Sequence, residues 1–328
     1  MSRIRSIPHL GRLVLLTAGV PLVFLAISLA LISSWSDRLP SRVATHWGSG
    51  GVDATGTRAG LVVPFIVVVL VLAVLFTVIG LWAGAGALGR RLAAGFGVGV
   101  TAMICALMLT LTHGQLGLDD ALRAPSPTVL QMLLVLLIAL VSGTAAALAV
   151  GADPKLPAEG PVDPDAPRAT LAQGESAMWT GIAASAPMLW LGIALTGALV
   201  LVPLFTGGAA AAAVPVGIVA GVIVVGASYW RVTVDRRGLR CVGVFGAPRL
   251  SVPLDEVESA HETQVRALRD YGGYGLRMGR DGRPGVVLRK GPALEVRRTG
   301  GRGLVVTVDR AGEAAALLNT LAERRVSP

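Results

Sequence analysis

Apolar residues fall in long, nearly unbroken runs up to about residue 230 and in short alternating runs beyond it. A helix needs roughly 20 apolar residues to cross the hydrocarbon core of a bilayer. Six stretches approach or exceed that length: Leu13–Trp35, Leu61–Ala83, Leu92–Thr112, Thr128–Val150, Thr180–Phe205 and Ala209–Trp230. None carries Asp, Glu, Lys or Arg in its middle. The first follows Arg3, Arg5 and Arg12, as the apolar core of a secretory leader would. It is longer than such a core, and no Ala-x-Ala site follows before Trp35, so it reads as a retained helix. From Arg231 onward the period changes. "WRVTVDRRG", "LRCVGVFG", "RLSVPL", "GVVLRKG", "ALEVRRT" and "GLVVTVD" are short runs rich in β-branched residues and divided by Gly, Pro or charged turns. Val232 and Val234 alternate with Arg231, Thr233 and Asp235, the pattern of a half-buried strand. The closing segment "DRAGEAAALLNTLAERR" predicts a helix. Asp309 stands at its cap position, Ala314, Leu317, Leu318, Leu321 and Ala322 form one stripe, and Arg324 and Arg325 lie in the last turn, where cations suit the dipole.

The connections order these elements. Arg3, Arg5 and Arg12 place residues 1–12 in the cytoplasm by the positive-inside rule. Arg90 and Arg91, in the second connection, fall on the same side, and six crossings return the arginine-rich C-terminal region to it. Arg38, Arg42 and Arg58 in the first outer loop run against this assignment. The fourth connection, residues 152–178, is rich in Pro, Asp and Glu with few apolar residues, a composition expected of a flexible linker. The expected organisation is therefore a four-span block over 13–151, a linker over 152–178, a two-span block over 179–230 and a soluble domain over 231–328. Gly95, Gly97, Gly99, Gly217 and Gly221 permit close helix approach.

Composition reinforces the membrane reading. Of 328 residues, 53% are hydrophobic and only 15% charged, and the mean hydropathy is +0.68. The net charge of +9 lies mostly beyond Arg231. Arginine is abundant while lysine occurs only at Lys155 and Lys290, which with the plentiful Ala and Gly reads as the base composition of a GC-rich bacterial genome. Cys105 and Cys241 lie in unlike segments and predict no disulfide, and no Cys or His pair has metal-ligand spacing. Ionisable groups within the spans, the usual mark of an ion or proton path, are missing; His113, Gln115 and Gln131 lie only at helix ends. "GGYGLRMG" lacks the lysine and Ser/Thr of a phosphate loop and reads as a glycine-rich hairpin loop, so no cofactor is implied. Arg231, Arg236, Arg237 and Arg240 directly follow the last span and are candidates for contact with anionic lipid headgroups, the alternative being that they merely obey the positive-inside rule. The basic residues lack aromatic interleaving, which disfavours nucleic acid.

The chemistry concentrates in the first outer loop, about residues 36–60. "LPSRVATHWGSGGVDATG" holds Pro40, His46, Trp47, Asp53 and a glycine cluster between two spans. Proline stops the helix path and the glycines permit a tight reversal. His46 is positioned to bond Asp53 or a carbonyl, and Trp47 suits the headgroup zone. The set reads either as a folded cap in which His46 and Asp53 satisfy one another, or as a ligand site for an external peptide or lipid with His46, Trp47 and Asp53 as contacts. Hydrolysis with His46 as base is a weaker reading, because no serine or cysteine is visibly paired with it, though Ser49 is near.

Leu39-Pro40, Ala44-Thr45-His46-Trp47 and Gly50-Gly51-Val52-Asp53, with their flanking spans over about 13–84, resemble the DUF1648 family of bacterial membrane proteins. Ala44 and Gly48 stand where that family more often has proline and asparagine. The family includes the membrane part of an immunity protein against a sporulation-delaying toxin, so the resemblance implies a sensing, immunity or signalling role. The strands and closing helix of 231–328 resemble the small pleckstrin-homology-like barrels appended to bacterial membrane proteins. The expectation is a non-enzymatic, multi-pass protein of the bacterial cytoplasmic membrane, with both termini cytoplasmic and a membrane or cytoplasmic protein partner. A membrane enzyme or transporter of a lipid-like substrate, and a structural partner subunit, remain alternatives.

Overall fold

A computed structural model describes residues 7–48, 50–172, 175–206 and 214–326. Arg3, Arg5 and Ser49 lie outside these residues. Among the described residues, five helices are long and apolar enough to cross a membrane: α1 (Leu10–Ser34), α2 (Arg58–Ala83), α3 (Ala87–His113), α4 (Val129–Ala149) and α5 (Ala186–Thr206). Apart from α3, their apolar surfaces stay largely uncovered within the chain; on α2, Val67, Val71, Val74 and Val78 form an exposed stripe. Such a surface is stable in lipid and costly in water. Of the sixth expected span, residues 209–213 lie outside the described residues; α6 (Val214–Ser228) covers 15 residues, and the chain turns to strand at Tyr229. Internal contacts divide the chain into two compact units, residues 1–152 with 195–220, and residues 153–194 with 221–328.

In the first unit α3 is the most enclosed helix and touches α1, α2 and α4. Small residues let the backbones approach: a Cβ on Gly143 of α4 would lie 2.7 Å from the Gly95 carbonyl oxygen, and one on Gly99 would lie 3.0 Å from that of Ala139. Backbone-to-backbone contact of this kind gives dispersion and packing where the hydrophobic effect gives little. A π-helical turn, Leu15–Gly19, interrupts α1, and Thr17 within it accepts a hydrogen bond of 2.9 Å from Thr77 of α2. Arg90, expected in a connection, instead occupies the first turn of α3 and is fully buried; it donates to the Gly84 carbonyl at 2.9 Å and the Ala152 carbonyl at 3.2 Å. The guanidinium thereby ties the ends of α2 and α4 to the start of α3.

The second unit holds two sheets. The first has the order β3-β4-β5-β6: β3 (Trp179–Ala184), β4 (Tyr229–Asp235), β5 (Gly238–Gly243) and β6 (Arg249–Pro253), all antiparallel. The second has the order β7-β10-β11-β9-β8: β7 (Val257–Val265), β8 (Gly275–Met278), β9 (Pro284–Val287), β10 (Gly291–Arg298) and β11 (Arg302–Thr307). One pair, β9 with β11, is parallel. A short helix, α7 (Ala267–Tyr271), links β7 to β8, and the expected glycine hairpin loop is a turn at Gly272 and Gly273 leading into β8. The strands do not close into a barrel among the described residues. Instead α8 (Ala311–Val326) packs on both sheets, burying Ala314, Leu317, Leu318, Leu321 and Ala322 against Trp230, Val232 and Leu294. Arg310, in left-handed conformation, precedes α8, and Asp309 pairs with Arg289 at 2.6 Å instead of capping. The Gly312 N–H is met by Glu262 of β7 at 2.8 Å.

Two expected boundaries shift. The stretch 179–184 was expected to open the fifth span but forms β3, the edge strand against β4, so α5 starts at Ala186. Residues 152–178, expected to be a flexible linker, include a strap that packs on the sheet unit. Val162 and Ala166 are buried in its core, with Leu171 and Ala177 beside them. The strap has no core of its own; it borrows one, and its backbone carbonyls find side-chain donors. Arg168 bonds Glu323 at 2.7 Å, which holds the Glu323 carboxyl below its usual range, and Arg324 donates to the Leu171 carbonyl at 2.6 Å. At the strap's start, Asp153 and the buried Glu256 share Arg298 and Arg302. Asn319 of α8 is the hub: it accepts from the Ala260 N–H and donates to the carbonyls of Ala260 and Pro167, each at 2.8 Å, with no exposed surface.

Asn319→Ala leaves these three backbone groups of β7 and the strap without partners. A buried unmade hydrogen bond costs about 1–3 kcal/mol. The variant is expected to lose at least about 2 kcal/mol, read as a lower melting temperature of the detergent-solubilised full chain and as new tryptic cleavage at Arg168.

Candidate functional site: the hairpin at residues 43–56

The stretch 43–56 folds as a hairpin of β1 (Val43–Gly48) and β2 (Gly51–Gly56). Gly51, at φ 112°, supplies the left-handed backbone that the reversal needs. The register shifts on either side of His46, so the strand bulges there. His46 Nδ1 lies 2.6 Å from Asp53 Oδ1 across the hairpin. With a carboxylate as acceptor, Nδ1 is the donor of this bond. The side chains are 69% and 54% exposed. Gly48 is required by this pair: a Cβ there would lie 2.6 Å from Asp53 Oδ2. Trp47 pairs with Val52 and is half-buried, and its Nε1 is buried with no hydrogen-bond partner among the described residues.

A two-stranded hairpin is marginal on its own. This one is fastened to the helix ends. Gln115, just beyond α3 and fully buried, accepts from the Ala44 N–H at 2.6 Å and donates to the Ala44 carbonyl at 3.2 Å. The amide thus behaves as a one-residue strand on the open edge of β1. Its Nε2 also donates to the Leu111 carbonyl at 3.1 Å, which fixes its orientation. Arg42 donates to the Thr55 carbonyl at 2.9 Å, and the Gly117 N–H reaches the Arg38 carbonyl at 2.8 Å. Trp35 and His113 meet edge to face with ring centroids 5.7 Å apart. A turn at Ala121–Arg123 touches both strands. The connections after α1 and after α3 therefore form one cap at the same end of the bundle.

His46 and Asp53 are brought together, with Trp47 between them in sequence but partly packed. Gln115 is the functional residue that the sequence does not single out; its one signal is an amide two residues beyond α3, whose last turn carries Thr110, Thr112 and His113. Ser49, the nearest candidate nucleophile, lies outside the described residues, and among those described the imidazole bonds Asp53 alone. No group of three or more His, Cys, Asp or Glu is arranged to hold a metal ion among the described residues.

The four basic candidates at the start of the sheet region separate. Arg231 and Arg240 lie on one face of β4 and β5. Arg236 turns to Ser176 Oγ at 2.6 Å, and Arg237 occupies the turn between the strands, its N–H bonded to Asp235 at 2.8 Å. The Cys241 thiol, on the opposite, core-facing side of β5, is pushed up to about 12 by burial and is not a nucleophile at neutral pH.

No protein-family model, no curated protein and no solved structure matches this chain.

Gln115→Ala leaves both polar groups of Ala44 unpartnered at a buried edge. The expected cost of about 2 kcal/mol corresponds to roughly thirtyfold faster hydrogen exchange over 43–56. Exchange in α3 itself should be unchanged.

Proposed function

We propose that the chain is a non-enzymatic, multi-pass protein of the bacterial cytoplasmic membrane, of the sensing, immunity or signalling kind. In this reading both termini are cytoplasmic, the hairpin 43–56 meets an external peptide or lipid, and the sheet unit is a pleckstrin-homology-like scaffold for a protein partner. The resemblance of Leu39-Pro40, Ala44–Trp47 and Gly50–Asp53 to the DUF1648 family supports the role. The observation that carries the proposal is the pinned hairpin. Gln115 holds β1 by its backbone, while the His46–Asp53 pair is left largely in solvent. A rigid support under an exposed polar pair reduces the ordering cost of binding.

The same pair favours one second reading. A carboxylate orienting an imidazole is also the base and orienter of a hydrolase, which would make the chain a membrane enzyme acting on a lipid-like substrate.

The two readings and the topology are tested together. With Cys105 and Cys241 buried, His46→Cys and Arg237→Cys report accessibility. A membrane-impermeant maleimide is expected to label position 46 in intact spheroplasts and position 237 only after permeabilisation. Labelling of both from one side overturns the proposed relay across the membrane. Lipid extracts from cells expressing the native chain and His46→Ala are expected to be identical, whereas a product formed only by the native chain identifies an enzyme.

A further inference from the structure

Strand alternation in β4 and β5 sends Trp230, Val232, Val234, Leu239 and Cys241 into the core, all with no exposed surface. The intervening side chains must then share the other face. There Tyr229, Arg231, Thr233, Arg240, Val242 and Val244 line a cleft of about 380 Å³, within the usual range for small-ligand sites. Arg231 stands opposite Val242 and Thr233 opposite Arg240, so the two arginines occupy diagonal positions across the strand pair and both line the cleft.

The charge in this cleft is not balanced. Asp235 is the acid on the face and is engaged by Arg240 Nη2 at 2.5 Å. Arg240 Nε is buried with no hydrogen-bond partner among the described residues, a donor without an acceptor. Arg231 is exposed and makes no salt bridge among the described residues. One carboxylate therefore faces two guanidinium groups, and the tyrosine and threonine add hydroxyl donors.

The rim has the opposite character. Val244 is 47% and Phe245 60% exposed, and Phe245 lies against Gly226 near the end of α6. Ile182 of β3, also exposed, is the strand partner of Arg231. No loop intervenes between Ser228 of α6 and Tyr229 of β4, so Arg231 begins only about 10 Å along the strand from the helix end. Cationic depth, apolar rim and the end of an apolar helix coincide at one place.

We infer that this cleft holds the phosphate of an anionic lipid headgroup, gripped by Arg231 and Arg240, with the acyl chains leaving over Val244 and Phe245. Arg236 and Arg237 take no part. The inference is independent of the outer hairpin and of any ligand there.

The test uses the full chain in neutral detergent micelles, with bound lipid counted by native mass spectrometry. Phosphatidylglycerol is expected to bind saturably at one molecule per chain and phosphatidylcholine not to do so. Arg231→Ala should weaken phosphatidylglycerol about tenfold or more, Arg231→Lys less, and Arg237→Ala not at all. Because Arg231 is exposed, an unchanged melting temperature separates lost binding from lost folding. Equal phosphatidylglycerol binding by Arg231→Ala and the native chain overturns the site. Binding of glycerol 1-phosphate as tight as that of the lipid overturns the lipid source and leaves a soluble phosphate ester as the ligand.

Discussion

A backbone N–H or carbonyl withdrawn from water has to find a partner inside the protein, and in this chain that requirement falls on a few buried side chains. Gln115 satisfies both polar groups of Ala44. Arg90 meets the carbonyls of Gly84 and Ala152 at the other end of the helix bundle. Asn319 does the same for Ala260 and Pro167. In each case a side chain of one element meets backbone groups that the regular pairing of another leaves unmet. The irregular pieces of the fold, the hairpin, the helix connections and the strap, keep their places because of these contacts.

The same principle separates scaffold from chemistry. Wherever the backbone is held by a buried amide or guanidinium, the neighbouring side chains are released for other work. In the hairpin, the fixed Ala44 leaves His46 and Asp53 to pair in solvent. In the sheet unit, core packing of Trp230, Val232 and Val234 holds β4 rigid while Arg231 and Thr233 face a cleft. Both candidate sites are thus built on strands whose other face or edge is already committed. The helices contribute length and an apolar surface, and no ionisable group within their central turns.

Much of this was legible from the residues. The long apolar runs at 13–35, 61–83, 92–112 and 128–150 correspond to α1 to α4 within a few residues, because a run of that length and composition has few alternatives. Alternation marked β4, and the stripe from Ala314 to Ala322 marked the buried face of α8. Other segments were misread for identifiable reasons. "WTGIAA" is apolar and short, and periodicity alone does not separate such a run from the start of a helix; its pairing with β4 decides the matter. The strand Val257–Val265 carries Glu258, His261, Glu262 and Gln264 and shows little hydrophobic contrast, yet it is central to the packing of α8. The proline-rich strap lacks the apolar content for a core, but Val162 and Ala166 are enough to seat it on a core that already exists.

By itself, the sequence determined the apolar helices and the change to a sheet-rich region near residue 230, since each follows from local periodicity, and it offered Asp53 or a carbonyl as the partner of His46. The tertiary structure alone decided that Gln115 clamps a strand 71 residues away, that residues 153–172 are a strap and not a tether, and that Arg231 and Arg240 share a cleft from which Arg236 and Arg237 are absent. These are choices of partner between distant segments. A partner is selected by the geometry of a buried donor and acceptor, which no local pattern of hydrophobic and polar residues encodes.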